Sequence, residues 1–179
     1  QKLYKGFYGL LAYTLLWSEF EDKNGNLVPS AWDSRQFITA TAGKKFNNGW
    51  ELGLRFRYGG GNPYTPIDAE RSSLRAFWDI RGQGIPDYDR LNTERLRPFY
   101  NLDIRVDKKY YFDKWSLNLY FDVQNVTGYQ ADSPPALLVE RDDNGEPLVD
   151  PNDPARYQTK FLQATQGTVL PTLGIILEY

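Results

Sequence analysis

Seven charged side chains fall on the same alternate positions within three alternating segments: Glu51, Arg55 and Arg57; Asp103, Arg105 and Asp107; and Asp122. On an extended chain that spacing puts each set on one face. Charges gathered there can line the path of a polar solute, which makes Arg55, Arg57 and Arg105 candidate ligand contacts. They can equally hydrogen-bond a neighbouring element or face water, the ordinary use of charge on a polar sheet face. The carboxylates Asp103 and Asp122 would formally suffice for glycoside hydrolysis, but alternating strands produce such pairs by chance.

Little else points to catalysis. The chain has no histidine and no cysteine, which removes the commonest general base, the commonest metal ligand and any disulfide. No Gly-x-Ser-x-Gly occurs. Asp142-Asp143-Asn144-Gly145-Glu146 has the look of a calcium loop without its alternating carboxylates and distal glutamate, so it reads as a β-turn. Glu21-Asp22-Lys23-Asn24-Gly25-Asn26 reads the same way. Gly59-Gly60-Gly61 is followed by no Lys-Ser/Thr and no helix signal, so it is not a phosphate loop. The expectation is a protein that is not an enzyme, with no metal site and no cofactor.

A second group of candidates lies between 59 and 100: Tyr64, Phe77, Trp78, Asp79, Tyr88 and Asp89. Aromatic rings beside carboxylates can stack on a sugar, a peptide or a chelate, or simply pack the segment on itself. Segment 125–167 is acidic, with Asp132, Glu140, Asp142, Asp143, Glu146, Asp150 and Asp153 against Arg141, Arg156 and Lys160.

The elements that must hold these residues are strands. Period-two alternation marks six of them, at about 6–17, 35–46, 50–58, 102–107, 115–124 and 168–179. Trp50, Leu52, Leu54, Phe56 and Tyr58 alternate with Glu51, Gly53, Arg55 and Arg57; Trp115, Leu117, Leu119, Phe121 and Val123 alternate with Ser116, Asn118, Tyr120, Asp122 and Gln124. In the first segment Gly6, Ala12 and Thr14 favour one face, and Tyr13, Leu15 and Trp17 the other. Short connections at Asn47-Asn48-Gly49 and Tyr110–Lys114 alternate with long ones at 18–34, 59–100 and 125–167. Asn and Gly tolerate the positive φ of a tight hairpin.

Such a layout fits an antiparallel transmembrane β-barrel segment with short periplasmic turns and long extracellular loops. Tyr110, Tyr111, Phe112 and Trp115 would then sit at the inner interface. The 179 residues carry a net charge of −2 and no basic stripe, so no nucleic acid is expected. A mean hydropathy of −0.60 does not argue against membrane lipid as a partner, because half of every barrel strand is polar. No methionine is present and no signal peptide opens the chain, so a processed or truncated product is expected. Six strands cannot close a barrel. Either they belong to a larger one or two strands lie hidden, for instance in 59–100.

Several runs resemble one family. Pro98-Phe99-Tyr100-Asn101-Leu102-Asp103-Ile104-Arg105-Val106-Asp107-Lys108-Lys109 and Trp115-Ser116-Leu117-Asn118-Leu119-Tyr120-Phe121-Asp122-Val123-Gln124-Asn125-Val126 resemble consecutive late barrel strands of TonB-dependent outer-membrane transporters. Gly60-Gly61-Asn62-Pro63-Tyr64-Thr65-Pro66 is similar to a segment of their Bacteroidetes-type branch. Leu173, Ile175, Leu177 and Tyr179 resemble their terminal assembly signal. The resemblance spans roughly 35–179. It implies that 1–179 is the C-terminal segment of a barrel of about 22 strands, whose plug domain and remaining wall lie elsewhere. It also implies a TonB energy-coupling complex and the outer-membrane assembly machinery as partners, with a surface lipoprotein as a further candidate. The implied activity is active transport of a scarce nutrient (iron chelate, cobalamin, glycan or peptide) across the bacterial outer membrane.

Two other readings stand beside it. A small passive barrel, a porin or adhesin, would have no plug. A soluble β-sandwich binding carbohydrate through Trp and Tyr would bury its apolar faces as a core, and would have no reason to alternate short and long connections.

Overall fold

The computed structural model describes residues 4–179. Its largest unit is a six-stranded antiparallel sheet in plain sequence order: β1 (Phe7–Leu16), β2 (Arg35–Lys45), β3 (Trp50–Gly59), β4 (Phe99–Tyr111), β5 (Ser116–Gln124) and β6 (Leu170–Glu178). All six expected strands are present. The fourth is longer than its alternation suggested, because Phe99–Asn101 and Lys108–Tyr111 extend the ladder without sharp apolar contrast. The sheet is open: among the described residues no further strand joins it beyond β1 or β6.

Two tight turns close one end. Phe46 N–H donates to Trp50 O at 2.8 Å across the first, where Gly49 has φ +81°. Phe112 N–H donates to Trp115 O at 2.9 Å across the second, and the two rings stack with centroids 4.1 Å apart. The three long connections, 17–34, 60–98 and 125–169, lie at the other end.

Region 60–98 contributes no seventh wall strand. It holds two-residue ladders (Pro63–Tyr64 with Glu94–Arg95, and Ile67–Asp68 with Ile85–Pro86) around two short helices, α1 (Ala69–Ser72) and α2 (Arg75–Arg81). The sequence signalled no helix there. Helices of four and seven residues are too short to show an amphipathic period, and capping carries them: the Asp68 carboxylate accepts from Arg71 N–H, and Gly82 ends α2 at φ +64°. In the third loop Ala136–Val139 pairs with Thr159–Leu162.

Register sorts the side chains cleanly. One face carries Leu11 and Tyr13 on β1, Ala40 and Ala42 on β2, Trp50 to Tyr58 on β3, Leu102 to Val106 on β4, Leu117 to Val123 on β5 and Leu173 to Leu177 on β6. Among the described residues nothing covers that face: Leu11 is 73% and Leu173 79% exposed. The buried apolar side chains among the described residues, Leu137, Val139 and Tyr157, are all in the third loop. The core of this molecule is therefore among its loops and not on its sheet.

Candidate functional site

The opposite face holds all seven charges of the alternating segments. Cross-strand pairing sets Arg55 against Asp103, Glu51 against Asp107 and Arg105 against Asp122. Asp103 is 4% exposed. Its Oδ2 accepts from Arg55 Nε at 2.9 Å and Arg57 Nη2 at 3.2 Å, and its Oδ1 from Asn125 N–H at 2.9 Å. Asn125 reaches this position at the end of β5 with φ +50°, a left-handed conformation that asparagine tolerates.

Glu51 and Asp107 would repel as directly opposed carboxylates. Each is neutralised locally. Arg105 grips Asp107 with two hydrogen bonds of 2.8 Å, and Asn118 adds a third at 2.8 Å. Glu51 accepts from Tyr8 Oη at 2.7 Å and lies 3.5 Å from Lys45 Nζ. The Arg105 guanidinium also stands 3.9 Å from the Tyr120 ring centroid. A depression of about 260 Å³ remains between these pairs, bordered by Tyr8, Thr41, Arg55, Asp103, Arg105 and Asp122. Of the expected contacts, Arg55 and Arg105 border it, while Arg57 turns to Asn101 and Asp103.

The loops form a second candidate region, built by ties between them. Asp33 is fully buried. It accepts from Ser18 N–H at 3.0 Å and from Arg95 Nη2 at 2.5 Å, and Arg35 Nε lies 2.8 Å away. Burial alone would push this carboxyl up, but the Ser18 N–H and the two guanidiniums outweigh it and hold the group below the usual carboxylate range. This joins the first two loops. The second and third are joined by Arg156 on Ser73 Oγ at 2.8 Å, by Tyr157 Oη on Asp79 at 2.9 Å, and by Arg97 gripping Asp132 at 2.6 and 2.7 Å. The bidentate bond to Asp132 raises Arg97 further above its ordinary value and lowers Asp132.

The loop candidates do not converge. Tyr64 borders a depression of about 470 Å³ with Arg90, Glu94 and Phe161. Tyr88 borders another of about 420 Å³ with Lys23, Arg71 and Phe77. Asp79 is taken up by Tyr157, and Trp78 is half-buried on α2. Leu173, Ile175 and Leu177 lie on the uncovered apolar face of β6, and Tyr179 follows the strand fully exposed.

The two acidic turns are the same device. Asp22 Oδ1 accepts from Asn24 and Asn26 N–H, and Asp142 Oδ1 from Asn144 and Glu146 N–H, at 2.8–2.9 Å. Gly25 and Gly145 supply the positive φ. These N–H groups hold both carboxyls below the ordinary range. Sequence reasoning missed Asp33, Arg95 and Asn125, because Arg95 meets Asp33 from 62 positions away and Asn125 meets Asp103 from 22, and no local pattern announces either meeting.

Comparison with known proteins finds no matching family model, no matching curated protein and no matching solved structure.

Proposed function

We propose that the six strands are an arc of a membrane-spanning β-barrel wall, completed by strands beyond this sequence, in a TonB-dependent type of outer-membrane transporter that takes up a scarce nutrient. The uncovered apolar face carries the reading. Six strands about 4.8 Å apart and roughly 20 Å tall present on the order of 600 Å² of apolar sheet, the upper limit of what soluble monomers leave in water. A sandwich would bring a second layer to this face, and α1 and α2 instead pack among the second and third loops.

Aromatic residues border the face at both ends, which supports lipid as its solvent. Phe7, Phe46, Trp50 and Tyr110 mark the turn end, and Tyr13, Tyr58 and Tyr100 the loop end. From Trp50 to Tyr58 the rise is roughly 26 Å along the strand, against about 25 Å for the apolar band of outer-membrane barrels. Tyr111 belongs to the other face, opposite Ser116, and so leaves the expected inner cluster. An open edge in lipid costs several kcal/mol per orphaned backbone group, so a wall of this kind needs further strands to close it.

The test is uptake in a Gram-negative host making the full-length protein. Labelled ferric chelate, cobalamin, oligosaccharide and peptide are supplied in turn, with and without an uncoupler of the inner-membrane potential. Uptake of one of them that stops with the uncoupler is expected. Uptake that continues would favour the passive barrel, and a protein recovered in water without detergent would overturn the wall itself.

A further inference from the structure

The sequence contains two Lys-Lys pairs, Lys44-Lys45 and Lys108-Lys109, both near the turn end of the sheet. Alternation splits each pair across the two faces. Lys45 and Lys109 lie on the charged face, where they pair with Glu51 and Glu178. Lys44 and Lys108 emerge on the apolar face, opposite Leu52 and Trp50 respectively. Among the described residues neither has a carboxylate partner, and they are the only charged side chains that the strand ladders place on that face.

Each ammonium is held the same way. Lys44 Nζ lies 3.6 Å from the Phe7 ring centroid and donates to Lys5 O at 3.1 Å. Lys108 Nζ lies 5.2 Å from the Trp50 and 5.3 Å from the Tyr110 centroid, and donates to Asn48 O at 2.6 Å. An ammonium has three donors, so each retains capacity for an anion. Between the two lysines is a depression of about 310 Å³ lined by Phe46, Asn48, Trp50, Leu52 and Val106. Glu51 also borders it, but Tyr8 and Lys45 hold its carboxylate on the opposite face.

We propose that this corner binds an anionic glycerophospholipid, with an acyl chain in the depression and the phosphate shared by Lys44 and Lys108. The inference rests on the sheet being a membrane wall. Charge decides the lipid: a zwitterionic headgroup brings a cation of its own beside the lysines, whereas an anionic one brings net negative charge to two ammoniums that lack it. The enrichment expected is about fivefold per ammonium.

The full-length protein is reconstituted in phosphatidylcholine vesicles with a bimane label at Leu54→Cys, beside the depression, or at Leu173→Cys, distant on the same face. Brominated phosphatidylcholine should quench both labels. A minor fraction of brominated phosphatidylglycerol should quench Leu54→Cys several-fold more than Leu173→Cys, and Lys44→Gln with Lys108→Gln should abolish the excess. Equal quenching at both positions, or an excess that survives the lysine substitutions, overturns the lipid site and leaves the wall standing. Quenching at Leu173→Cys alone means that a protein covers this corner, which also overturns it. No quenching by either lipid at either position overturns the wall.

Discussion

At the scale of single residues, Asp33 shows how a charge survives complete burial. Ser18 N–H, Arg95 and Arg35 surround it. Removing a buried charge strands its partners at a cost of about 3–5 kcal/mol; here both arginines keep some contact with water, so Asp33→Ala should cost about 2–3 kcal/mol. Because the folded carboxyl sits below its ordinary value, the folded chain binds its proton more weakly than the unfolded chain. The stabilisation is therefore complete above about pH 4 and is lost as pH falls further. Hydrogen exchange, corrected for intrinsic rates, should report loosening of the first two loops below about pH 4. Asp33→Asn should already be loose at pH 7 and lack the acid step; an unchanged acid step would remove Asp33 from this role. None of this was legible beforehand. An Asp between Trp32 and Ser34 carries no local mark of burial, and its meaning depends on Arg95 folding back from the second loop.

At the scale of elements, three aromatic rings lie flat over glycines directly across the charged face: Tyr8 over Gly43, Tyr120 over Gly174 and Phe99 over Gly59. A Cβ at Gly43 would come within 2.2 Å of the Tyr8 ring. Gly43→Val should evict Tyr8, break its bond to Glu51 and cost about 1–3 kcal/mol. Heat-modifiable gel mobility of the full-length protein should shift to lower temperature, and Tyr8→Ala in the same chain should restore much of the loss. No restoration would mean that Gly43 matters for a reason other than this ring. The strands themselves were readable because one polar and one apolar face force a period of two on the sequence. The register-paired glycines were not, since each acquires its function only when a particular strand lies beside it. For the same reason the seven charges could be assigned to one face from spacing alone, whereas the Asp103 knot with Arg55, Arg57 and Asn125 could not.

At the scale of the whole molecule, turns at one end and loops at the other give the proposed wall a fixed sidedness. A cysteine at Asn144, in an exposed turn of the third loop, should react with a membrane-impermeant maleimide on intact cells. One at Asn48, in the turn between β2 and β3, should react only after the outer membrane is opened. Labelling of both on intact cells would contradict the proposed orientation.

The loops also grip one another through side chains spread over all three: Asp33 from the first, Arg95, Ser73 and Asp79 from the second, Arg156 and Tyr157 from the third. They are consequently held together as one unit. A chimera that imports a single loop from another protein leaves Asp33 or Arg156 without its counterpart, whereas transplanting all three onto a foreign wall keeps every one of these bonds. An exchange that preserves these ties has to move the three loops together.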